Sequence, residues 1–222
     1  MKILQNTHYY IKANSQNDWS DNLKITKVQK DTGKSYSVFI NGEFSFKVPD
    51  YVLFKLGIYE YKDISEKELA WFKNQAKISF AKSIAIKFVS YKIRTIYEVE
   101  RKLHEDFEPD IIREIIEFLT QNGYLNDKLF AEKFILEKMK LGNLSIKAIE
   151  YELYERGISR HIVDEKLMKL EYNESIYAKN LLEKRLRESE KNNLKKIKEY
   201  LYRKGFSIST INQIINEYEG EG

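Results

Sequence analysis

The chain contains no cysteine, which excludes a disulfide framework, a thiolate nucleophile and cysteine-ligated metal, and fits a reducing compartment. Only two prolines, Pro49 and Pro109, interrupt its 222 residues, so long helices are permitted. The three histidines, His8, His104 and His161, lie far apart, and none forms a metal-spaced pair on one helical turn. No apolar run approaches the roughly 18 residues that a membrane span needs, and the start lacks the apolar stretch of a secretory signal. A cytoplasmic protein with no membrane partner is the expectation. No serine sits in a nucleophile elbow, and the carboxylates interleave with lysine at helical spacing, as on solvated faces. Thr32-Gly33-Lys34-Ser35 imitates the end of a phosphate-binding loop, but Val28 stands where that motif needs glycine and a strand pattern follows the serine. The chain is expected not to be an enzyme and to need no cofactor and no metal.

What is present is 42% hydrophobic residues, including 16 Tyr, 12 Phe and 2 Trp, with a net charge of only +4. That suffices for packed cores and permits nucleic-acid contact without demanding it. Residues 1–21 are polar without a clear period and read as a loosely held tail. In residues 22–64 the period is two: Leu23 and Ile25, then Tyr36, Val38 and Ile40, then Phe44, Phe46 and Val48. These predict a three-stranded antiparallel meander, with Asn41-Gly42 supplying a two-residue hairpin turn and Pro49 ending the last strand. Its apolar face should pack on the segment from Tyr51 to Leu56 and on the first long helix. From Ser65 onward the period is helical. Ser65 with Glu68 and Thr95 with Glu98 have capping-box spacing, Gly123 and Gly142 read as helix ends, and Pro109 suits a first turn. Asn126 or Asp127, Ser145, Ser159 and Ser207 are candidate N-caps.

The helical part is similar to itself at steps near 48 residues. Phe80-Ala81, Phe130-Ala131 and Tyr177-Ala178 are each followed one turn later by two apolar residues. About twenty residues on, Leu153 to Ser159 (LYERGIS) and Leu201 to Ser207 (LYRKGFS) share Leu, Tyr, Gly and Ser in register. Each reads as a helix closed by a left-handed glycine, then an apolar anchor and a serine cap. Leu103 is the matching leucine upstream, though Glu105 and Asp106 stand where glycine is expected. The expected architecture is mainly α: three tandem three-helix, helix-turn-helix-like repeats over residues 65–125, 126–172 and 173–222. Stacked end to end behind the small β-meander, they predict an elongated curved rod.

Six cations and no carboxylate fall between Lys73 and Arg94, but at 100° per residue they scatter around a helix. Lys191, Lys195 and Lys198 share one face, with Arg203 and Lys204 at the end of that helix. A solvated face is the commoner explanation of such a pattern, since the helix dipole also favours cations there. Phe80, Phe130, Phe134 and Tyr177 recur at core spacing, so packing, not base stacking, is their expected role. The candidate partner-binding or nucleic-acid-binding residues are Lys87, Lys92, Arg94, Arg101, Lys102, Arg156, Arg160, Lys191, Lys195, Lys198, Arg203 and Lys204.

Gly123-Tyr124-Leu125-Asn126-Asp127-Lys128-Leu129-Phe130-Ala131 resembles the junction between first and second repeats of the RecX proteins, bacterial regulators of the recombinase RecA. Arg94, Thr95, Glu98, Val99 and Leu103 resemble that family's first repeat, and Ser145 to Ser159 its second-repeat helix pair. The strand region before Ser65 is similar to the N-terminal extension of longer members. The resemblance implies a monomer that lodges in the groove of the RecA filament on DNA and modulates, most simply by inhibiting, its ATP hydrolysis, strand exchange and coprotease activity. The competing expectation is a stand-alone helical DNA-binding protein, since three-helix units resemble helix-turn-helix folds and basic faces are present.

Overall fold

The computed structural model describes residues 23–188 and 193–220, so the expected tail over 1–21, and Lys191, lie outside the described residues. The chain divides into two compact units, Met1–Phe80 and Ala81–Gly222.

In the first unit, strands β1 (Leu23–Lys30), β2 (Ser35–Ile40) and β3 (Glu43–Pro49) form the antiparallel meander. Val38 of β2 stands opposite Val28 on one side and Phe46 on the other, and Tyr36 opposite Val48, so apolar side chains share one face. Asn41 and Gly42 turn the second hairpin at φ of 51° and 90°, the left-handed pair that a two-residue connection between twisted strands requires. A fourth strand, β4 (Asp63–Ile64), pairs with β1 at Leu23 and Lys24, giving the order β3-β2-β1-β4. Two residues are too few to show a period, which is why the sequence pattern predicts three strands. The inner face of the sheet, with Ile25, Val38, Ile40, Phe46 and Val48, closes a core with Val52 and Leu53 of helix α1 (Asp50–Lys55). Leu69, Phe72 and Ala76 of helix α2 (Glu66–Tyr91) complete it, at spacings of three and four that put them on one stripe. The start of α2 is a reciprocal capping box: the Glu68 amide donates to Ser65 Oγ at 3.2 Å and the Ser65 amide to Glu68 Oε2 at 2.9 Å.

Helix α2 runs on into the second unit, where Ala81 and Ala85 are fully buried. There the helices fall in consecutive triples: the end of α2 with α3 (Ile96–Leu103) and α4 (Pro109–Gln121), then α5 (Asp127–Leu141), α6 (Ile146–Glu155) and α7 (Arg160–Leu167), then α8 (Glu174–Glu188), α9 (Leu194–Arg203) and α10 (Ile208–Gly220). The second triple closes on Phe130, Ala131, Ile135, Ile149, Leu153, Ile158 and Val163. The third closes on Ala178, Leu181, Leu182, Ile197, Leu201, Phe206 and three isoleucines of α10. The alanine after each aromatic residue is buried in all three (Ala81, Ala131, Ala178), because a helix packs closely only where its side chain is small. The matched leucines Leu103, Leu153 and Leu201 have no exposed surface at all, and each contributes about 1.5–3 kcal/mol by burial. Asn126 caps α5 by accepting the Leu129 amide at 2.9 Å. Ser145 caps α6 through the Ala148 amide at 3.2 Å, and Ser207 accepts the Thr210 amide at 3.2 Å ahead of α10. Ser159 precedes α7 in extended conformation but makes no side-chain cap. Among the described residues no helix is long and apolar enough to cross a membrane.

Candidate partner-binding surface

The geometry of the second unit repeats at its two junctions. At the first, the buried N-cap Thr95 has two bonds: its hydroxyl accepts the Glu98 amide at 3.1 Å and donates to the Arg156 carbonyl at 2.8 Å. One side chain therefore satisfies orphan groups at the start of α3 and at the end of α6. At the second junction Ser145, equally buried, has the same position, and its amide donates to the Lys204 carbonyl at 3.0 Å. The second helix of each triple thus starts against the turn that closes the second helix of the next.

The glycines of LYERGIS and LYRKGFS sit at these contacts. Gly157 and Gly205 have φ of +76° and +88°, the left-handed conformation expected of them. They also admit the neighbouring triple. A Cβ on Gly157 would run into Tyr97, and one on Gly205 would stand 2.6 Å from Ser145 Oγ and 2.7 Å from Ala148 Cβ. The first triple in the unit has no earlier triple to admit, and there Glu105 and Asp106 occupy the corresponding turn.

Charge is held at the first junction. Arg156 Nη1 donates to Glu98 Oε1 at 2.7 Å, Arg94 Nη1 lies 3.7 Å from Glu98 Oε2, and the Arg94 guanidinium stacks 3.8 Å from the Phe88 ring centre. Glu98 therefore does not return the capping-box bond that its spacing from Thr95 suggests, because two arginines draw its carboxylate away. Asp127 accepts the Ile96 amide at 3.0 Å. Burial pushes the Asp127 carboxyl above its usual range; the amide bond opposes this and the nearby Glu98 charge adds to it.

Two open clefts lie along these junctions. The first, ≈ 350 Å³, lies between α3 and α6 and is lined by Tyr97, Arg101, Tyr151, Glu155 and Arg156 among others. The second, ≈ 840 Å³, lies where α6 meets α9 and the start of α10, with Lys147, Tyr151, Tyr202, Arg203 and Ile208 on its walls. Tyr151 and Glu152 line both, so the clefts form one track. The large side chains along it face solvent: Tyr97, Tyr151, Tyr202 and Ile208 are 40%, 64%, 62% and 64% exposed. Lys138 holds Glu152 at 2.7 Å, and Glu174 is occupied by the Ser207 and Thr210 hydroxyls at 3.1 and 2.7 Å.

Of the twelve cations singled out from sequence, the eleven among the described residues are dispersed. Arg101 and Arg203 are exposed on the track, and Arg156 lines it while tied to Glu98. Arg94 is half-buried and belongs to the junction. Lys87 and Lys92 are exposed on and just beyond α2, and Lys102 on α3. Arg160 is exposed at the start of α7. Lys195 is exposed, whereas Lys198 is half-buried in a smaller cleft with Tyr202, Ile208 and Ile211. Lys204 lies over the Tyr200 ring at 5.6 Å. The sequence pattern missed Lys147, the three tyrosines and Ile208. Their signal was position: Tyr151 and Tyr202 fall off the buried stripes Ile149–Leu153 and Ile197–Leu201, where a polar residue is the norm.

Three family models match this unit, the first, second and third three-helix domains of RecX, over residues 81–119, 126–167 and 177–215. A regulatory protein RecX from Caldanaerobacter subterraneus subsp. tengcongensis is 31% identical over 202 residues, covering 87% of this chain and 99% of the relative. One from Clostridium acetobutylicum is 31% identical over 210 residues, covering 89% and 97%. The crystal structure of RecX from Lactobacillus salivarius superposes with a TM-score of 0.52 at 34% identity, over 64% of this chain and 97% of that one. A second RecX crystal structure shares the fold, with a TM-score of 0.59 over 87% of this chain and 99% of its own, at 23% identity. With matched helical domains across the second unit and relatives aligned over nearly their whole length, the chain belongs to the RecX family of regulatory proteins.

Proposed function

We infer that this chain acts as a monomer to regulate RecA, binding the RecA filament on DNA through the cleft track of the second unit and inhibiting its ATP hydrolysis, strand exchange and coprotease activity. The observation that carries this is the recurrence of the junction: twice a buried N-cap residue meets the turn after the next triple's second helix, through its hydroxyl at Thr95 and its amide at Ser145, and exposed tyrosines and cations line the track there. A partner that itself repeats suits a surface built by repetition. Exposed Tyr151, Tyr202 and Arg203 are the residue types that dominate binding energy at protein interfaces. Glu152 and Glu155 on the same walls argue for a protein surface of mixed charge over bare phosphate, which they would repel.

Titration into RecA on single-stranded DNA, with ATP turnover followed, tests this. Falling turnover that saturates with added chain is expected. Unchanged turnover at every ratio rejects it, and tight, salt-steep binding to naked DNA unaffected by RecA would instead identify a stand-alone DNA-binding protein.

A further inference from the structure

The groove between the second and third helices of a triple is furnished differently in each of the three. Counting back from the matched leucines Leu103, Leu153 and Leu201 puts Glu100, Glu150 and Lys198 at one position, with His104, Tyr154 and Tyr202 one turn later. In the second triple Tyr154 is partly buried against the core, and its hydroxyl donates to Glu150 Oε1 at 2.7 Å. That bond holds the hydroxyl above its usual pKa range and the Asp164 carboxylate of α7 adds to the shift, so the ring tip sits where α6 faces α7. In the third triple Lys198 offers no acceptor and Tyr202 stays 62% exposed. A cleft of ≈ 250 Å³ remains there between α9 and α10, walled by Ile208 and Ile211. The carboxylate one turn earlier is what distinguishes the ring that folds in from the ring that does not.

The first triple has the carboxylate and lacks the ring. Between α3 and α4 an open cleft of ≈ 510 Å³ has Tyr97, Pro109, Ile112 and Ile116 as apolar walls. Glu100 and Glu117 are exposed at its rim, and Glu100 has no hydrogen-bond or ion-pair partner among the described residues. Of the rim cations, Arg113 donates to Asp110 at 3.0 Å, and the Arg101 guanidinium lies 5.8 Å from the Tyr97 ring centre. The rim thus offers acceptors, and the walls ask that the incoming donor be carried on an apolar body, which is the chemistry of a phenol. The cleft shares Tyr97 and Arg101 with the one between α3 and α6, so a partner lying on the track reaches it.

We propose that this groove captures a tyrosine side chain of the protein that lies on the track, with the ring over Ile112 and Ile116 and its hydroxyl on Glu100, as Tyr154 and Glu150 meet within the second triple. The identity of that protein rests on the functional reading above; the groove's choice of ring does not.

The probes are N-acetyl-tyrosine amide and N-acetyl-phenylalanine amide, titrated into the full chain with the isoleucine methyl resonances followed by NMR. The tyrosine amide should move the Ile112 and Ile116 methyls and bind about tenfold more tightly than the phenylalanine amide, the worth of one hydrogen bond to a charged acceptor. E100K, which reproduces the lysine of the third triple, should remove that preference. H104Y supplies the ring from within and should abolish binding of both amides. Circular dichroism checks that both variants keep their helices. With RecA on single-stranded DNA, each variant should need about tenfold more chain for the same fall in ATP turnover, the same factor as the lost hydrogen bond. Equal affinity for the two amides, no binding by the unaltered chain, or undiminished binding by H104Y overturns the proposal. So does an H104Y chain that has lost the tyrosine amide yet acts on RecA as the unaltered chain does, since the groove would then not serve the track. If the unaltered chain leaves RecA turnover unchanged, the functional reading fails and the partner's identity with it, whereas the methyl resonances alone decide whether the groove takes a tyrosine.

Discussion

Replacing Gly157 by alanine separates two demands that the sequence merges. The first is conformational: at φ +76° an alanine carries the left-handed penalty, about 1–2 kcal/mol. The second is steric, because the added methyl would enter the Tyr97 side chain, whose Cγ lies 2.6 Å from the ideal Cβ position. Forcing a methyl into a packed contact costs about 1–3 kcal/mol, so G157A should lose about 2–5 kcal/mol in all. Gly123 is the control, since its φ is +74° but nothing lies within 4 Å of a Cβ built there. G123A should therefore lose only the first term, about 1–2 kcal/mol. Urea unfolding followed by circular dichroism measures both, with an unchanged m-value marking a change in stability rather than in the unfolded state. Equal losses in the two variants would refute the claim that Gly157 is there to admit the preceding triple.

Three further outcomes follow from the same contacts. T95V removes both the cap acceptor and the donor to the Arg156 carbonyl from a fully buried site, and should cost about 1–3 kcal/mol in urea unfolding. L153A, at a side chain with no exposed surface, should cost about 2–5 kcal/mol through the cavity it leaves; a near-neutral value would remove Leu153 from the core. Asp127 has its carboxyl raised chiefly by burial, so its contribution to stability is greatest below the unfolded-state carboxyl range and is lost as pH rises through the raised folded value. D127N keeps an oxygen to accept the Ile96 amide and cannot ionise, so its stability relative to wild type should improve as pH climbs from acid towards neutrality. A difference that is flat with pH would show that Asp127 is not desolvated.

What was legible in the sequence is what short-range chemistry decides. Ser65 with Glu68, Asn41-Gly42 and the alternation across Tyr36, Val38 and Ile40 each act within a few residues, and each forms as expected. The RecX resemblance, resting on the residues from Gly123 to Ala131, agrees with the matched domains on either side of that junction. What was not legible needs partners far apart in the chain. Glu98 has the spacing to return a bond to its own helix start, but Arg156, 58 positions later, takes its carboxylate. Gly157 and Gly205 read as helix-ending residues, and only Tyr97, Ser145 and Ala148 from the preceding triple reveal their second task. Their charge makes Arg94 and Arg156 candidates for a partner, but the fold commits both to Glu98. Tyr97, Tyr151 and Tyr202 carry no charge and gain meaning only when the junctions align them along one track.

Co-sedimentation with RecA filaments assembled on single-stranded DNA, comparing the unaltered chain with a Tyr151→Ala, Tyr202→Ala, Arg203→Glu variant, tests the central claim most directly. The unaltered chain should pellet with the filament, and the variant should stay in the supernatant with its helix content unchanged. Equal pelleting of the two would contradict the assignment of the cleft track as the surface that holds RecA.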